Sequence, residues 1–508
     1  MIATVAWAAI MIAWLLITPA FRAPDEHVHF NSVIRLEHGG GWPVPGDAKV
    51  GPGVVTAMSE AGLSYKLPRS ETHWGNPPVY LHVQTPPETH STIDSDNALP
   101  GPDATVADQM SQHPPLFYAI QATAARIAGM PGETWSTQLF FARLLDVLMM
   151  LPLPWLLAST VRLLVPSPGV AGATAFFPLA LPQVPHIAAS VSNDNLANLL
   201  AAIAAWLAVR LYVRGGGWRS ALVLGLAMGL AALTKGTTLV LLPVVVFALY
   251  AAPGVVGRTH RIYRLAAGLG VSFVTGGFWW LVNIVRYGDL QPDGYKLIAG
   301  LSPDPGRTPL TFFSHAAHAV SESFVGRFSY LELTFSGGRA IYVVGAIILA
   351  SVAAIWVARG RRVLALTLIA APVLTIAFMF KSSYPWYIDY GLLPGLQGRY
   401  LFVCLVPLAA LVAITWDTLV RVRWLWITIP VLVVGAGLTA AAGLRVALRG
   451  FYQGRDERFL DVVVDRAAMW VPGGHAAVIS AFVLIALALA ATCYAAWHVR
   501  SRRVCLAE

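Results

Sequence analysis

Apolar runs of roughly 20 residues follow one another along nearly the whole chain after residue 136, separated by short segments rich in Arg, Pro and Gly. A helix of that length rises about 30 Å, the thickness of a bilayer's hydrocarbon core. The runs predict twelve membrane-spanning helices, at about 2–20, 137–161, 168–187, 193–213, 217–234, 236–254, 265–285, 340–358, 363–380, 399–419, 424–443 and 475–498. A further stretch, about 114–130, opens at His113-Pro114-Pro115 and carries Gln121 and Arg126, so hydropathy alone leaves it undecided. Short cytoplasmic loops collect Lys and Arg. If 114–130 does not cross, the clusters Arg210/Arg214/Arg219, Arg258/Arg261/Arg264, Arg359/Arg361/Arg362, Arg421/Arg423 and Arg500/Arg502/Arg503 all fall on the cytoplasmic side with both termini. If it crosses, every cluster flips outward. The chain therefore reads as an all-α polytopic membrane protein in which 114–130 is a helix on the outer surface.

This topology divides the chain into a first span (1–20), an extracytoplasmic loop (21–136), spans two to seven (137–285), a second outer segment (286–339), spans eight to eleven (340–443), a third outer segment (444–474) and a last span with its tail (475–508). A shorter outer segment lies at 381–398. No basic residue precedes the first span and its apolar core is longer than a signal peptide's, so it reads as a retained anchor, although Ala20-Phe21-Arg22-Ala23 resembles a cleavage site. The loop 21–136 has no long apolar run, but its aromatics Trp42, Tyr65, Trp74 and Tyr80 point to a folded cap.

Composition agrees and narrows the classes. Of 508 residues 56% are hydrophobic and only 12% charged, about half the charged share of a soluble domain, which excludes a water-soluble enzyme, a disordered chain and a fibrous repeat. The three cysteines, Cys404, Cys493 and Cys505, lie in or beside apolar runs or in the tail, so no disulfide framework is expected. The formal charge of +9 would suggest nucleic acid for a soluble chain, but here the arginines sit between spans and topology accounts for many of them. No Gly-x-x-x-x-Gly-Lys-Ser/Thr run exists, which removes the sign of an ATP-driven pump.

Chemistry concentrates after the first span, at Phe21-Arg22-Ala23-Pro24-Asp25-Glu26-His27-Val28-His29-Phe30. Pro followed by two acids is a helix start, with the carboxylates at the positive end of the helix dipole. On such a helix Asp25 and His29, and Glu26 and His29, share a face, so the spacing predicts two carboxylates and an imidazole converging at the outer interface. One reading is a simple N-terminal cap with a solvated His. The other is a general base, with Asp25 taking a proton from an acceptor hydroxyl. Asp25, Glu26, His27 and His29 also offer donors to a divalent metal, although His27 and His29 point apart on a helix.

The order of motifs resembles a known superfamily. Asp25-Glu26-x-x-His29-Phe30 after a first span, His113-Pro114-Pro115-Leu116 on a surface helix and Arg143-Leu144 near the second span resemble the GT-C glycosyltransferases, with the likeness nearest to protein O-mannosyltransferases and lipid A aminoarabinose transferases. Pro24-Asp25-Glu26, Ser323-Phe324-x-Gly326-Arg327-Phe328 and Gln397-Gly398-Arg399-Tyr400 look like a bacterial branch of that superfamily. The resemblance implies a GT-C fold with about twelve spans and a large first loop carrying surface helices. It also implies transfer of one sugar, with inversion, from a polyprenyl-phosphate donor to an extracytoplasmic acceptor, with no required cofactor, no nucleic-acid partner and the bilayer as solvent.

In that reading Asp25 is the base and Glu26 its second carboxylate. His29, His113, Arg143, Lys235, Arg399 and Tyr400 are candidates for the donor phosphate, and Asn193, Asp194 and Arg327 stand behind them. Lys235, in Leu233-Thr234-Lys235-Gly236-Thr237, lies at an outer turn where a cation is disfavoured, and a buried charge calls for an anionic partner; snorkelling to the interface is the alternative. Arg399 opens a span beside a glycine and can hold phosphate bidentately. Arg143 reads as a phosphate or carboxylate partner, or as an interfacial arginine. Ser192-Asn193-Asp194-Asn195 reads as an N-cap or as a sugar contact, and His113 as a site residue or a solvated loop His. His315, His318 and Glu322 have metal-compatible spacing but equally suit a surface helix. Phe278-Trp279-Trp280 and Tyr384-x-Trp386-Tyr387 read as interfacial aromatic belts.

Two other functions fit the same spans: a flippase for a lipid-linked sugar, and a noncatalytic subunit of an envelope assembly. A transporter would hold its ionisable residues at mid-membrane, whereas the acids singled out here lie at one interface. Protease added to sealed, right-side-out vesicles is expected to cut within 21–136, and cutting only after inversion would overturn the topology.

Overall fold

The computed structural model describes residues 1–63, 85, 87–254, 257–294, 307–453, 458–469 and 471–504. Tyr65, Trp74, Tyr80 and Cys505 lie outside the described residues, as do the side chains of Arg500, Arg502 and Arg503. Among the described residues eight helices are long and apolar enough to cross a membrane, and three shorter apolar helices, Ile2–Ile17, Trp218–Ala232 and Gly236–Ala251, accompany them.

The first apolar helix, α1 (Ile2–Ile17), is followed by three helices of the first loop, α2 (Glu26–Glu37), α3 (Pro52–Glu60) and α4 (Leu116–Ile127). With 12 residues α4 is about 18 Å long, too short to cross. It lies against α2, where Arg126 donates to the carbonyls of Glu37 (2.5 Å) and Leu36 (2.9 Å). Phe30, Ile34, Val54, Met58, Phe117, Tyr118 and Trp135 form a core for this loop, separate from the core of the bundle.

The second pass is α5 (Trp135–Met150) and α6 (Leu153–Leu164), which meet at Pro152. The expected single span at 168–187 is instead three short pieces: α7 (Pro168–Thr174), a 3-10 turn at Phe177–Ala180, and α8 (Gln183–Ala188). Pro168, Pro178, Pro182 and Pro185 remove backbone donors and cannot be carried inside one continuous helix. The broken segment nevertheless runs the length of the bundle. Gly172 lines the same cavity as Arg162, while the Val191 amide, just past α8, reaches the carboxylate of Glu26 at 3.1 Å.

Next come α9 (Asn193–Arg214), α10 (Trp218–Ala232), a 3-10 segment at Gly236–Leu241 leading into α11 (Leu242–Ala251), and α12 (Arg258–Ser272), which passes through a π-helical turn into α13 (Phe278–Tyr287). After α14 (Pro309–Val325) a small antiparallel hairpin pairs Arg327–Phe328 with Leu333–Thr334. The chain closes with α15 (Ala340–Val357), α16 (Arg362–Tyr390), α17 (Leu405–Leu419), α18 (Val422–Tyr452), α19 (Phe459–Ala468) and α20 (Gly474–Val504), the last packed along α1 and α18. The 3-10 turn Gly398–Cys404 precedes α17.

Arginine-bearing loops gather at one end of the bundle. Arg361 donates to the carbonyl of Leu164 at 2.8 Å, and Arg264 to those of Leu249 (2.6 Å) and Ala252 (2.7 Å). At the other end, two sequence motifs far apart in the chain lock together. The Gly398 amide donates to Ser323 Oγ at 2.7 Å, and a Cβ at Gly398 would fall on the backbone of Val320 and Phe324 in α14. Gly398→Ala is therefore expected to cost about 1–3 kcal/mol through forced separation of the two segments. Thermal unfolding of the purified protein measures this, and an unchanged midpoint would refute the contact.

Candidate functional site

The Pro24-Asp25-Glu26 corner sorts its two carboxylates to opposite fates. Helix α2 begins at Glu26, and Asp25 is its N-cap residue in the left-handed region (φ 61°), with no side-chain cap hydrogen bond. A non-glycine residue there costs of order 1 kcal/mol, and such strain persists where surrounding contacts enforce it. The simple cap is thus not what Asp25 does. Its carboxylate instead meets Arg399 Nη2 at 2.5 Å and accepts from Gln109 Nε2 at 3.4 Å, while 30% of the side chain stays exposed.

Glu26 turns the other way, so the expected convergence of two carboxylates and an imidazole does not occur. Glu26 is fully buried, and Arg143 grips it bidentately through Nε (2.7 Å) and Nη2 (2.6 Å). Arg143 also donates to the carbonyls of Thr18 (2.8 Å) and Pro19 (3.0 Å). This pair ties the end of α1, the start of α2 and the interior of α5 into one corner. Glu26 is thus taken up by Arg143 rather than placed beside Asp25 as a second carboxylate, and the Arg143 guanidinium is occupied by Glu26 and two carbonyls. Of the readings open for Arg143, the carboxylate partner is the one the geometry has.

Behind Asp25 the charges continue as a chain of alternating sign. Arg399 Nε lies 3.7 Å from Asp194 Oδ2, and Lys235 Nζ donates to Asp194 Oδ1 at 2.7 Å and to Asn193 Oδ1 at 3.0 Å. Lys235 is buried rather than snorkelling, and the Tyr400 ring sits 5.1 Å from its ammonium and 5.5 Å from the Arg399 guanidinium. The cap of α9 is Ser192, whose Oγ accepts from the Asp194 amide at 3.3 Å. Asp194 is thereby free to bridge the two cations. Two carboxylates and two cations balance, and buried charges of this kind persist only when each meets a counter-charge.

Two imidazoles complete the wall. His29 Nδ1 and the Tyr118 hydroxyl share a hydrogen bond of 2.9 Å. His113 is buried rather than solvated, and among the described residues its Nδ1 has no partner. Burial, and after it the field of Lys235, pushes the His29 ring down to about 3 and the His113 ring well below its ordinary value, so both are neutral at pH 7. Burial alone would raise the Asp25 carboxyl, but Arg399 and the neighbouring rings outweigh it and hold it below the ordinary value. His27, lowered by burial to about 4, pairs through Nδ1 with the Tyr330 hydroxyl at 2.6 Å.

Residues 25, 109, 113, 194, 235, 399 and 400 are thus brought together from five parts of the chain. Among the described residues Arg327 forms no ion pair: its backbone amide donates to Gln183 Oε1 at 2.7 Å, at the start of the hairpin. Sequence reasoning missed Gln109, Tyr118 and Tyr330. Gln109 reaches Asp25 because Asp108 is pinned by Asn31 (2.6 Å) and Ser32 (3.0 Å) of α2, contacts some 76 residues apart with no local signature. Among the described residues no three His, Cys, Asp or Glu side chains gather as a metal site, and His315 is paired with the Tyr387 hydroxyl at 2.6 Å.

The two carboxylates are separable by stability. Removing one partner of a buried pair costs about 3–5 kcal/mol, so Glu26→Gln and Arg143→Ala should destabilise by that order and Asp25→Asn by clearly less. Thermal unfolding in detergent decides, and equal losses would erase the distinction.

The chain belongs to the family described as predicted membrane protein (DUF2142), whose model matches residues 9–412. No curated protein matches it. Among solved structures it is similar to ArnT from Cupriavidus metallidurans bound to undecaprenyl phosphate, at 15% identity over 97% of this chain and 76% of that one, with a TM-score of 0.46. It is also similar to the Archaeoglobus fulgidus oligosaccharyltransferase in complex with Zn and sulfate, at 11% identity over 90% of this chain and 54% of that one, with a TM-score of 0.44. The same archaeal enzyme, AglB, in complex with an inhibitory peptide and a dolichol-phosphate, matches at 10% identity over 90% of this chain and 56% of that one, with a TM-score of 0.43. The chain spans about half the length of the archaeal enzyme.

Proposed function

We propose that this member of the DUF2142 family is a GT-C type glycosyltransferase that moves a single sugar from a polyprenyl-phosphate donor to an acceptor hydroxyl outside the cytoplasmic membrane. In this reading twelve passes place both termini in the cytoplasm and the Asp25 end outside, with the broken segment between α7 and α8 counted as one pass. The gathering of arginine loops at the end away from Asp25 supports that orientation.

The observation that carries the proposal is a strained, partly exposed carboxylate set against buried cations. Asp25 has one oxygen on Arg399 and the other within a long 3.4 Å reach of Gln109 Nε2, with 30% of its side chain exposed, while Lys235, Arg399 and Tyr400 line the ground behind it. Asp25 takes the proton of the acceptor O–H as the acceptor oxygen forms its bond to the sugar's anomeric carbon. The bond from that carbon to the phosphate oxygen breaks, and its electron pair leaves on the phosphate, where Arg399 and Lys235 meet the new charge. One displacement with one base inverts the anomeric centre. The neutral rings of His29 and His113 contribute N–H donors without adding charge.

Arg399 has a double duty in this scheme. In the resting site it depresses the basicity of Asp25. An arriving phosphate competes for its guanidinium, so donor binding weakens the Asp25–Arg399 pair and makes Asp25 a better base. The carboxylate must be ionised to act, so activity is lost as pH falls through its pKa. The acid limb of kcat/KM, which reports the free enzyme, should therefore lie below the ordinary aspartate range, and the limb of kcat, which reports the loaded enzyme, should lie higher.

Purified protein given a panel of polyprenyl-phosphate sugars and an envelope extract should release polyprenyl phosphate from one donor. Asp25→Asn should lower that release by about 100-fold or more. Lys235→Ala and Arg399→Ala should weaken donor use, and His315→Ala should leave it near wild type. Full activity in Asp25→Asn would remove the base, and absence of release from every donor would favour a transporter or a noncatalytic subunit.

A further inference from the structure

Helix α9 carries Asn193 and Asp194 of the site at its first turn and Arg210 and Arg214 at its last. The separation of about 30 Å between the two ends matches a hydrocarbon core. At the arginine end the protein has an open cavity of about 420 Å³ lined by Trp155, Arg162, Gly172, Trp206, Arg210 and Arg214. A second cavity of about 220 Å³ shares Arg210 and Arg214 and adds Arg219 and Val223. Four arginines thus come from the ends of three helices, α6, α9 and α10, to one place.

None of these four arginines forms an ion pair among the described residues. Arg162 donates to the carbonyl of Pro166 at 2.9 Å, and Arg210 lies over the Trp206 ring at 5.5 Å, itself 5.2 Å from the Trp155 ring. Four guanidinium groups with no carboxylate between them repel one another, and an anion relieves that repulsion. The floor chooses which anion. Trp155 is 54% exposed, and the outer face of α10 continues from Val223 through exposed Leu222 and Leu226 toward the middle of the bundle. A charged head flanked by indole rings and followed by an exposed apolar strip matches a phosphate diester carrying acyl chains, whereas free phosphate would leave the strip unused.

We propose that the cavities at the Arg162/Arg210/Arg214/Arg219 end bind the head group of an anionic diacyl phospholipid, at the membrane face opposite Asp25. The arginines hold the phosphodiester, Trp155 and Trp206 flank the head, and an acyl chain lies along α10. The site is independent of the transfer reaction and stands or falls separately from it.

The test titrates delipidated full-length protein in detergent with short-chain phosphatidylglycerol, short-chain phosphatidylcholine or inorganic phosphate, reading the thermal unfolding midpoint and counting bound lipid by native mass spectrometry. Phosphatidylglycerol should bind at least tenfold more tightly than phosphatidylcholine. Arg210→Gln with Arg214→Gln should abolish that preference, and Arg421→Gln with Arg423→Gln, an equal loss of charge outside the cavities, should leave it within twofold. Arg210→Lys with Arg214→Lys keeps charge but loses the planar fork, and should give an intermediate value. If the first pair fails to fold, Arg162→Gln with Arg219→Gln reads the same cavities. Equal binding of the two lipids, equal effects of the two glutamine pairs, or saturation by inorganic phosphate alone would each overturn the proposal.

Discussion

A buried charge in this protein must meet an opposite charge, and the rest of the structure depends on that constraint. Taking an ion out of water costs several kcal/mol, recovered only by close pairing and satisfied hydrogen bonds. Glu26 and Arg143 meet this demand completely, with a two-point grip and three further backbone contacts. In doing so they fix how the first pass joins the second and how α2 leaves the membrane. That corner, not any property of Asp25 itself, leaves Asp25 outside the helix with a positive φ and an open flank.

The alternating series Asp25, Arg399, Asp194 and Lys235 answers the same demand differently. It balances in number but not in saturation: Arg399 Nε stands 3.7 Å from its second carboxylate, and His113 Nδ1 and Asn193 Nδ2 have no partner among the described residues. A fully satisfied network is a structural element, while a balanced but unsaturated one has capacity for a polar ligand. Two carboxylates adjacent in sequence therefore end as a fully satisfied clamp and as a partly exposed group in an unsaturated network.

Closeness of backbone supports this charge arrangement. Gly398 lets the turn before α17 lie on α14, and Ser323 accepts its amide, so Arg399 projects toward Asp25 from a rigid base. The two motifs that hold these residues are one contact. The hairpin beyond them places Tyr330 on His27, which links the segment after α14 to the turn bearing Asp25.

The apolar helical character of the chain and the chemical character of the candidate residues were legible in the sequence itself, because apolar length obeys the bilayer's solvent rules without reference to any neighbour. Asp25, Lys235 and Arg399 stood out as charges in places where charge is costly. Two features were not legible for definite reasons. The 168–187 segment has the hydropathy of a span, and hydropathy is blind to the backbone donors that its four prolines remove. The partners of Asp25 and Glu26 lie more than 80 residues away in sequence, and no spacing rule reaches that far.

By itself, then, the sequence determined that the chain is built for a membrane, which residues are expensive to bury, and the end at which its arginine-rich loops gather. The tertiary structure alone decided which carboxylate is locked and which is open, that His113 is buried, and that Asp194 bridges two cations instead of capping a helix. The division has a physical reason. Solvent transfer is a property of each residue and its local run, whereas pairing of buried charges depends on distances that exist only after the helices have packed.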